Sequence, residues 1–199
     1  MILYNMSLFS RSPDDQVYQP AEDTFLLRDA ALDEVRPDDR VLEVGCGSGT
    51  VIAALRERAA AVVATDINPH AVGAGQSLGV ETVRTDLFAG LKGPFDLVLF
   101  NPPYLPTLPE ERIDDWLEYA LDGGPTGRVT IERFAEEVGR VLAPYGRILL
   151  LISSLTGPDE VRQLFADLGY TVLLVAREEV EGEELLVLRI SRDLCTCRA

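Results

Sequence analysis

Lysine is nearly absent from this chain. Lys92 is the single lysine in 199 residues, and every other one of the 18 cationic side chains is an arginine. Acids number 33, so the formal net charge is −15. No run of Lys or Arg with interleaved aromatics occurs, so the electrostatic footprint of a strong nucleic-acid binder is missing. The acids are spread along the chain. Together with the scarcity of lysine, that spread favours surface adaptation to a high-salt cytoplasm over a match to one basic partner. Histidine is scarcer still: His70 stands alone, which excludes a His-rich zinc site and argues against a Ser-His-Asp or Cys-His catalytic set. Three cysteines make no disulfide framework. Cys46 lies in a glycine-rich turn, and Cys195 and Cys197 are two ligands where a metal site needs more. No apolar stretch is long enough to span a membrane and no signal-peptide pattern opens the chain, so a cytoplasmic location is expected.

What is present is one alternating α/β pattern, with no internal repeat. Amphipathic helices are predicted over residues 20–35, 50–58, 69–79, 128–142 and 159–168. In the first, Phe25, Leu26, Leu27, Ala30 and Leu32 fall largely on one side. Strands are predicted over 40–44, 61–66, 80–85, 95–100 and 146–152, with two closing strands at 171–176 and 184–190. Alternation of this kind predicts a parallel sheet covered by helices on both faces. The connection between the last two strands is too short for a crossover, so that pair is expected to be antiparallel. The chain reads as a flexible segment over 1–16, one domain over 17–190 and a tail over 191–199. A long loop at 105–126 carries Trp116, Tyr119 and Asp122-Gly123-Gly124. It reads either as a lid or as a short packed helix around Trp116.

The most informative feature is Asn101-Pro102-Pro103-Tyr104, at the carboxyl end of the apolar strand 95–100. Asn101 can accept a hydrogen bond through its side-chain oxygen, and the Pro102 carbonyl can accept a second. Tyr104 offers a flat wall for stacking. Such a pocket suits a planar NH2 group presented for alkylation. The four residues alone also fit a proline-rich turn capped by Asn.

A second motif narrows that choice. Val41-Leu42-Glu43-Val44-Gly45-Cys46-Gly47-Ser48-Gly49 runs an apolar strand into alternate glycines, then into a helix. The spacing G-x-G-x-G is neither the G-x-G-x-x-G dinucleotide fingerprint nor a phosphate loop. Glu43 would repel a pyrophosphate and suits the cationic amino-acid part of S-adenosylmethionine. Asp66, ending the second strand, is placed to accept from ribose hydroxyls, and Asp86, after the third, from an adenine amino group. Ligands of open α/β sheets bind at this edge.

These motifs resemble the class I S-adenosylmethionine-dependent methyltransferases with an N-P-P-Y amino-methylating signature. More closely, the chain resembles the HemK-like glutamine N5-methyltransferases of class 1 release factors, in their short archaeal and eukaryotic branch. The likeness rests on the leading segment 17–27, the glycine motif, Thr65-Asp66-Ile67-Asn68-Pro69, Thr85-Asp86-Leu87, and Asn101-Pro102-Pro103-Tyr104 followed by Asp122-Gly123-Gly124-Pro125-Thr126-Gly127. It spans nearly all of residues 17–190. The resemblance implies a Rossmann-like, seven-stranded, mostly parallel sheet in the order 3-2-1-4-5-7-6. It implies cofactor contacts from Tyr18, Glu22, Thr24, Glu43, Gly45, Gly47, Asp66, Ile67, Asp86, Leu87 and Asn101. Asn101, Pro102, Pro103 and Tyr104 would be catalytic, with Asn101, Pro102 and Tyr104 gripping the substrate. The implied reaction is N5-methylation of the glutamine in a Gly-Gly-Gln motif. A small zinc-binding activator subunit would extend the sheet at strand three, over Leu78, Val80, Thr82, Val83 and Arg84. The chain itself would hold no metal.

The alternative reading is an N6-adenine methyltransferase acting on DNA or RNA, whose target is also a planar NH2. The net charge and the lack of a separate target-recognition segment stand against it. A lysine or other protein methyltransferase fits less well, because a double-acceptor pocket suits an amide. A non-catalytic scaffold would not need the intact acids and N-P-P-Y.

Overall fold

The computed structural model describes residues 16–107 and 115–192. Apart from Gln16, the expected flexible segment lies outside the described residues, as do Cys195, Cys197 and residues 108–114 of the long loop. Seven strands form one sheet in the order β3-β2-β1-β4-β5-β7-β6, as the resemblance implied. They are β1 Arg40–Val44, β2 Ala61–Asp66, β3 Glu81–Arg84, β4 Phe95–Phe100, β5 Leu142–Ser153, β6 Tyr170–Val180 and β7 Glu183–Arg192. β1 to β5 pair in parallel, and β7 runs antiparallel to both β5 and β6. The helices are α1 Glu22–Glu34, α2 Thr50–Leu55, α3 Pro69–Ser77, α4 Val129–Val138 and α5 Pro158–Asp167.

Side chains alternate between the two faces of a strand, and here both faces are buried. Leu42, Val98, Phe100, Ile148, Leu150 and Ile152 point into a core covered by Ile131, Phe134 and Val138 of α4 and by Val161 and Phe165 of α5. Val41, Leu97, Leu99, Leu149 and Leu151 point the other way, onto Leu27 and Ala31 of α1 and Val51, Ile52 and Leu55 of α2. Each fully buried side chain of this size contributes about 1.5–3 kcal/mol. This two-sided burial explains why the central strands read as continuous apolar runs.

Several boundaries move. β5 begins at Leu142, four residues before the expected start at 146. β6 and β7 are longer than expected, and β7 takes in Ser191 and Arg192, which the sequence reading left to the tail. α2 stops at Leu55 and α4 at Val138. In α1 the buried apolar line is Leu27 and Ala31, while Phe25 faces solvent, with Arg28 stacked over its ring at 4.9 Å. Around Trp116 a 3-10 turn spans Glu118–Ala120, the Trp116 and Tyr119 rings lie 5.4 Å apart, and both residues border the cavity at the carboxyl ends of β1, β2 and β4.

Among the described residues β3 is an edge strand, paired only to β2. Of the residues expected at a partner surface, Leu78, Val83 and Arg84 are exposed, Val83 at 38%. Val80 and Thr82 instead face inward: Val80 joins the core on the α2 side, and the Thr82 hydroxyl donates to the Val80 carbonyl. Arg84 is partly engaged within the chain. Its Nε donates to the Ile67 carbonyl at 3.1 Å, and its guanidinium lies 5.6 Å from the Trp116 ring centre. At the opposite edge, β6 leaves Leu173, Leu174 and Val175 exposed around a register shift.

Candidate active site

A cavity of about 410 Å³ opens at the carboxyl ends of β1, β2 and β4, within the range of small-ligand sites. Its floor is the turn after β1. Gly45 and Gly47 have φ of 65° and 51°, a left-handed region that disfavours side chains. In that conformation the Gly47 N–H donates to Asp66 Oδ2 at 2.9 Å, tying the turn to the end of β2. Asp66 Oδ1 accepts from the Asn68 N–H at 2.8 Å. The carboxylate is thus aimed by two backbone donors. Burial raises its pKa despite them.

Glu43 is more deeply set, 3% exposed, and its Oε2 accepts the Ile52 N–H at 3.0 Å near the start of α2. Burial pushes its pKa up to about 8, with the Asp66 charge adding to the rise. A buried acid of this kind favours a cationic ligand, whose charge would restore the ionised form. Cys46 lies between these acids. Its thiol is pushed up by burial and by both carboxylates, so it remains a small neutral filler of the turn.

The opposite wall is built from α1 and the end of β4. Tyr18 Oη donates to Asp23 Oδ2 at 3.1 Å, and Asn101 Nδ2 donates to the same oxygen at 3.0 Å. Asp23 Oδ1 accepts from both the Thr24 N–H and the Thr24 hydroxyl. An ionised carboxylate only accepts, so the atom of Asn101 facing it must be the NH2 group. That fixes the amide: Oδ1 is turned away from Asp23, buried, and without a hydrogen-bond partner among the described residues. A buried acceptor in this state loses stability unless a ligand donates to it. Pro102, Pro103 and Tyr104 line the same cavity. Burial, followed by the charge of Asp23, raises the phenols of Tyr104 and Tyr18, keeping both rings neutral.

Most of the residues singled out in the sequence meet here. Tyr18, Thr24, Glu43, Gly45, Gly47, Asp66, Ile67, Asp86, Leu87, Asn101, Pro102, Pro103 and Tyr104 all line the cavity. Glu22 does not: it is exposed, and its neighbour Asp23 turns inward instead. The reason is tertiary, since Asp23 is drawn in by Tyr18 and Asn101. Asp86 lines the rim but is 48% exposed, with Oδ2 held by Arg133 at 2.7 Å. Leu87 beside it has φ of 46°, an uncommon conformation for a residue with a side chain. Sequence reading missed Asp23, Arg133 and Glu183, which also border the cavity. Asp23 is distinguished from Glu22 only by its tertiary bonds to Tyr18 and Asn101. Arg133 and Glu183 had no signal in the sequence.

These residues fit S-adenosylmethionine. Acids stand at the ends of β1 and β2 and just past β3, the glycine turn leaves backbone open, and Asn101 keeps an unused acceptor. The group, when bound, supplies a methyl on a positively charged sulfur.

The comparisons agree. The family model for a methyltransferase domain matches residues 19–175. A protein of Methanocaldococcus jannaschii, provisionally named as a protein N5-glutamine methyltransferase, is 40% identical over 184 residues, covering 89% of this chain and 92% of that one. Methyltransferase HEMK2 of Mus musculus is 38% identical over 192 residues, covering 88% and 90%. Among solved structures, the E. cuniculi Mtq2–Trm112 complex, described as responsible for methylation of the eRF1 translation termination factor, superposes with a TM-score of 0.76 at 30% identity. It covers 89% of this chain and 99% of the matched one. With a domain match over most of its length and relatives this similar over about nine-tenths of both chains, the chain belongs to the HemK-like family of S-adenosylmethionine-dependent glutamine N5-methyltransferases.

Proposed function

We propose that this chain methylates the side-chain amide nitrogen of the glutamine in the Gly-Gly-Gln motif of a class 1 release factor. The observation that carries this reading is the orphaned Oδ1 of Asn101, a residue of the cavity wall whose amide is oriented by Asp23. An amide nitrogen is a weak nucleophile because its lone pair is delocalised into the carbonyl. Asn101 Oδ1 accepts one of its N–H bonds and the Pro102 carbonyl the other. Two acceptors fix the plane of the NH2 group and draw electron density onto nitrogen. Positioning of this kind lowers a barrier by up to roughly 7–11 kcal/mol. Asp23 is already engaged at both oxygens, so its role is to orient Asn101; the proton displaced from the methylated amide nitrogen, which is then strongly acidic, passes to water. Glu43 and Asp66 hold the cofactor's cationic and ribose parts, with Asp86 and Leu87 at the adenine end.

A small zinc-binding subunit completes the active species by adding a strand to the open edge of β3, where Leu78 and Val83 are exposed. The support is the free edge together with the partner present in the Mtq2–Trm112 structure. The acidic, lysine-poor surface suits a salt-rich cytoplasm.

The test is co-expression with that subunit, followed by incubation with labelled cofactor and the cognate release factor. Mass spectrometry should place the label on the Gly-Gly-Gln glutamine. Asn101→Ala should abolish transfer while leaving the cofactor dissociation constant nearly unchanged. Cofactor binding with an unmodified release factor would overturn the substrate, and adenine oligonucleotides would be tried next.

A further inference from the structure

Asn101 is not the only acceptor left waiting in this cavity. Glu183 Oε2 is also buried without a hydrogen-bond partner among the described residues, and Glu183 lines the same cavity. A carboxylate oxygen in that state is costly to bury, more so than a neutral one.

The topology says which side of the site it serves. β7 runs antiparallel to β5, with Leu185 opposite Ser153. Its amino end therefore reaches the edge of the sheet where the parallel strands finish. The acids matched to the cofactor belong to β1, β2 and the turn after β3. Glu183 arrives from beyond β5, on the far side of Asn101. Glu183 lines the same cavity as Tyr18, Tyr104 and Asn101. The strand start is also held in place: the Glu184 N–H donates to Ser154 Oγ at 3.0 Å.

We propose that Glu183 is a substrate-binding residue whose Oε2 accepts a backbone N–H from the glycine–glutamine segment of the substrate. The inference rests on the function proposed above and adds the group that holds the peptide rather than the reacting amide. A peptide entering the cavity brings backbone N–H groups that lose water and need acceptors. Glycines before the glutamine have no Cβ, so a carboxylate can approach that backbone closely. Thr65 Oγ1, a third unpartnered side-chain oxygen of this cavity, stands on β2 beside the cofactor acids; of the other two, Asn101 grips the side chain and Glu183 grips the main chain.

The experiment uses the chain co-expressed with the small zinc subunit, and compares wild type, Glu183→Ala and Glu183→Gln. KM for the release factor should rise about 10- to 100-fold in Glu183→Ala, the scale of a lost charge-assisted hydrogen bond. Glu183→Gln keeps an acceptor oxygen without the charge and should fall between. Both variants should keep kcat within about threefold, with cofactor affinity by calorimetry unchanged. A Gly-Gly-Gln peptide and analogues with one amide N–H replaced by an ester oxygen then serve as competitors. One ester should weaken inhibition of wild type and leave Glu183→Ala indifferent, a coupling that a structural role would not produce. An unchanged KM in both variants, a loss confined to kcat or to cofactor binding, or an equal ester penalty in wild type and variant would overturn the assignment. If wild type methylates no glutamine in the release factor, the proposed function fails first and this inference falls with it.

Discussion

The two ends of the central strands bury charge in opposite ways. Level with the amino ends of β1 and β4, midway along β5, Arg147 is 2% exposed and fully occupied. Its Nε donates to Glu34 Oε1, its terminal nitrogens grip both oxygens of Asp39 at 3.1 and 2.7 Å, and the Asp96 and Glu34 carbonyls take the remaining donors. Arg189 adds a second cation to Glu34 at 3.1 Å. At the carboxyl ends, Glu43 sits in a cavity beside another acid, and Asn101 and Glu183 each keep a bare oxygen. The first end joins α1 to the sheet. The second is incomplete without a ligand. Both lie on the same strands, so the difference is one of purpose: satisfied charge fixes geometry, and unsatisfied polarity is reserved for binding.

Breaking the satisfied end should have the largest effect. Arg147→Ala strands Glu34 and Asp39 and should cost about 3–5 kcal/mol in urea unfolding. The pH profile sharpens this. Burial alone would raise Asp39, but its hydrogen bonds to Arg147 hold it below the usual carboxylate value. Its contribution is therefore complete above the unfolded pKa and is lost as pH falls through the lower, folded one. The variant should lose that part of its acid sensitivity.

Asp23→Asn makes the reactive end conflict with itself. The introduced amide would keep its oxygen on the Thr24 N–H and turn its NH2 toward Asn101, which must then rotate its own oxygen toward that NH2. A drop of about 100-fold in kcat is expected, with the melting temperature changed by far less. An unaltered kcat would show that the Asn101 orientation does not matter.

Glu43→Gln tests the cost of keeping an acid unpaired. The folded pKa of Glu43 is raised from 4.5 to about 8, so wild-type stability falls as pH rises between those values and the full penalty stands above 8. The variant should be more stable than wild type at pH 9, with the gain shrinking toward pH 5. Cofactor affinity of wild type should strengthen as pH rises through about 8, and that slope should vanish in Glu43→Gln. Calorimetry at pH 6 and 9 separates the two.

The smallest effect belongs to the rim. Arg133→Ala removes an ion pair in which both partners are 48% exposed, worth about 0–1 kcal/mol of stability. Denaturation curves at low and high salt should show a small difference that disappears at high salt.

The satisfied end was hardly legible in the sequence, while the incomplete end was largely so. The glycine turn, the acids at the ends of β1 and β2 and the N-P-P-Y run are local patterns, and local patterns survive in a string of residues. The Arg147 cluster joins residues 108 and 113 positions apart, and nothing in an isolated Glu34 or Asp39 announces it. The same limit explains the exchange of Glu22 for Asp23. Adjacent acids at a helix start look alike until Asn101, 78 residues later, selects one. Glu183 was hidden by its neighbours, because the acidic hairpin at 178–184 reads as solvated surface. The strand order came from the family resemblance, and β6 outran its expected length because its exposed Arg177, Glu178 and Glu179 break the apolar pattern.

Cys46 gives the glycine turn a built-in reporter. Its thiol is 6% exposed and kept protonated by its surroundings, so an alkylating reagent meets neither access nor thiolate while the turn is closed. Labelling at that position then counts openings of the glycine turn, much as hydrogen exchange counts openings of backbone amides. Residue-level mass spectrometry would read how firmly the turn closes in the free protein and with cofactor, from one native atom and without any engineered probe.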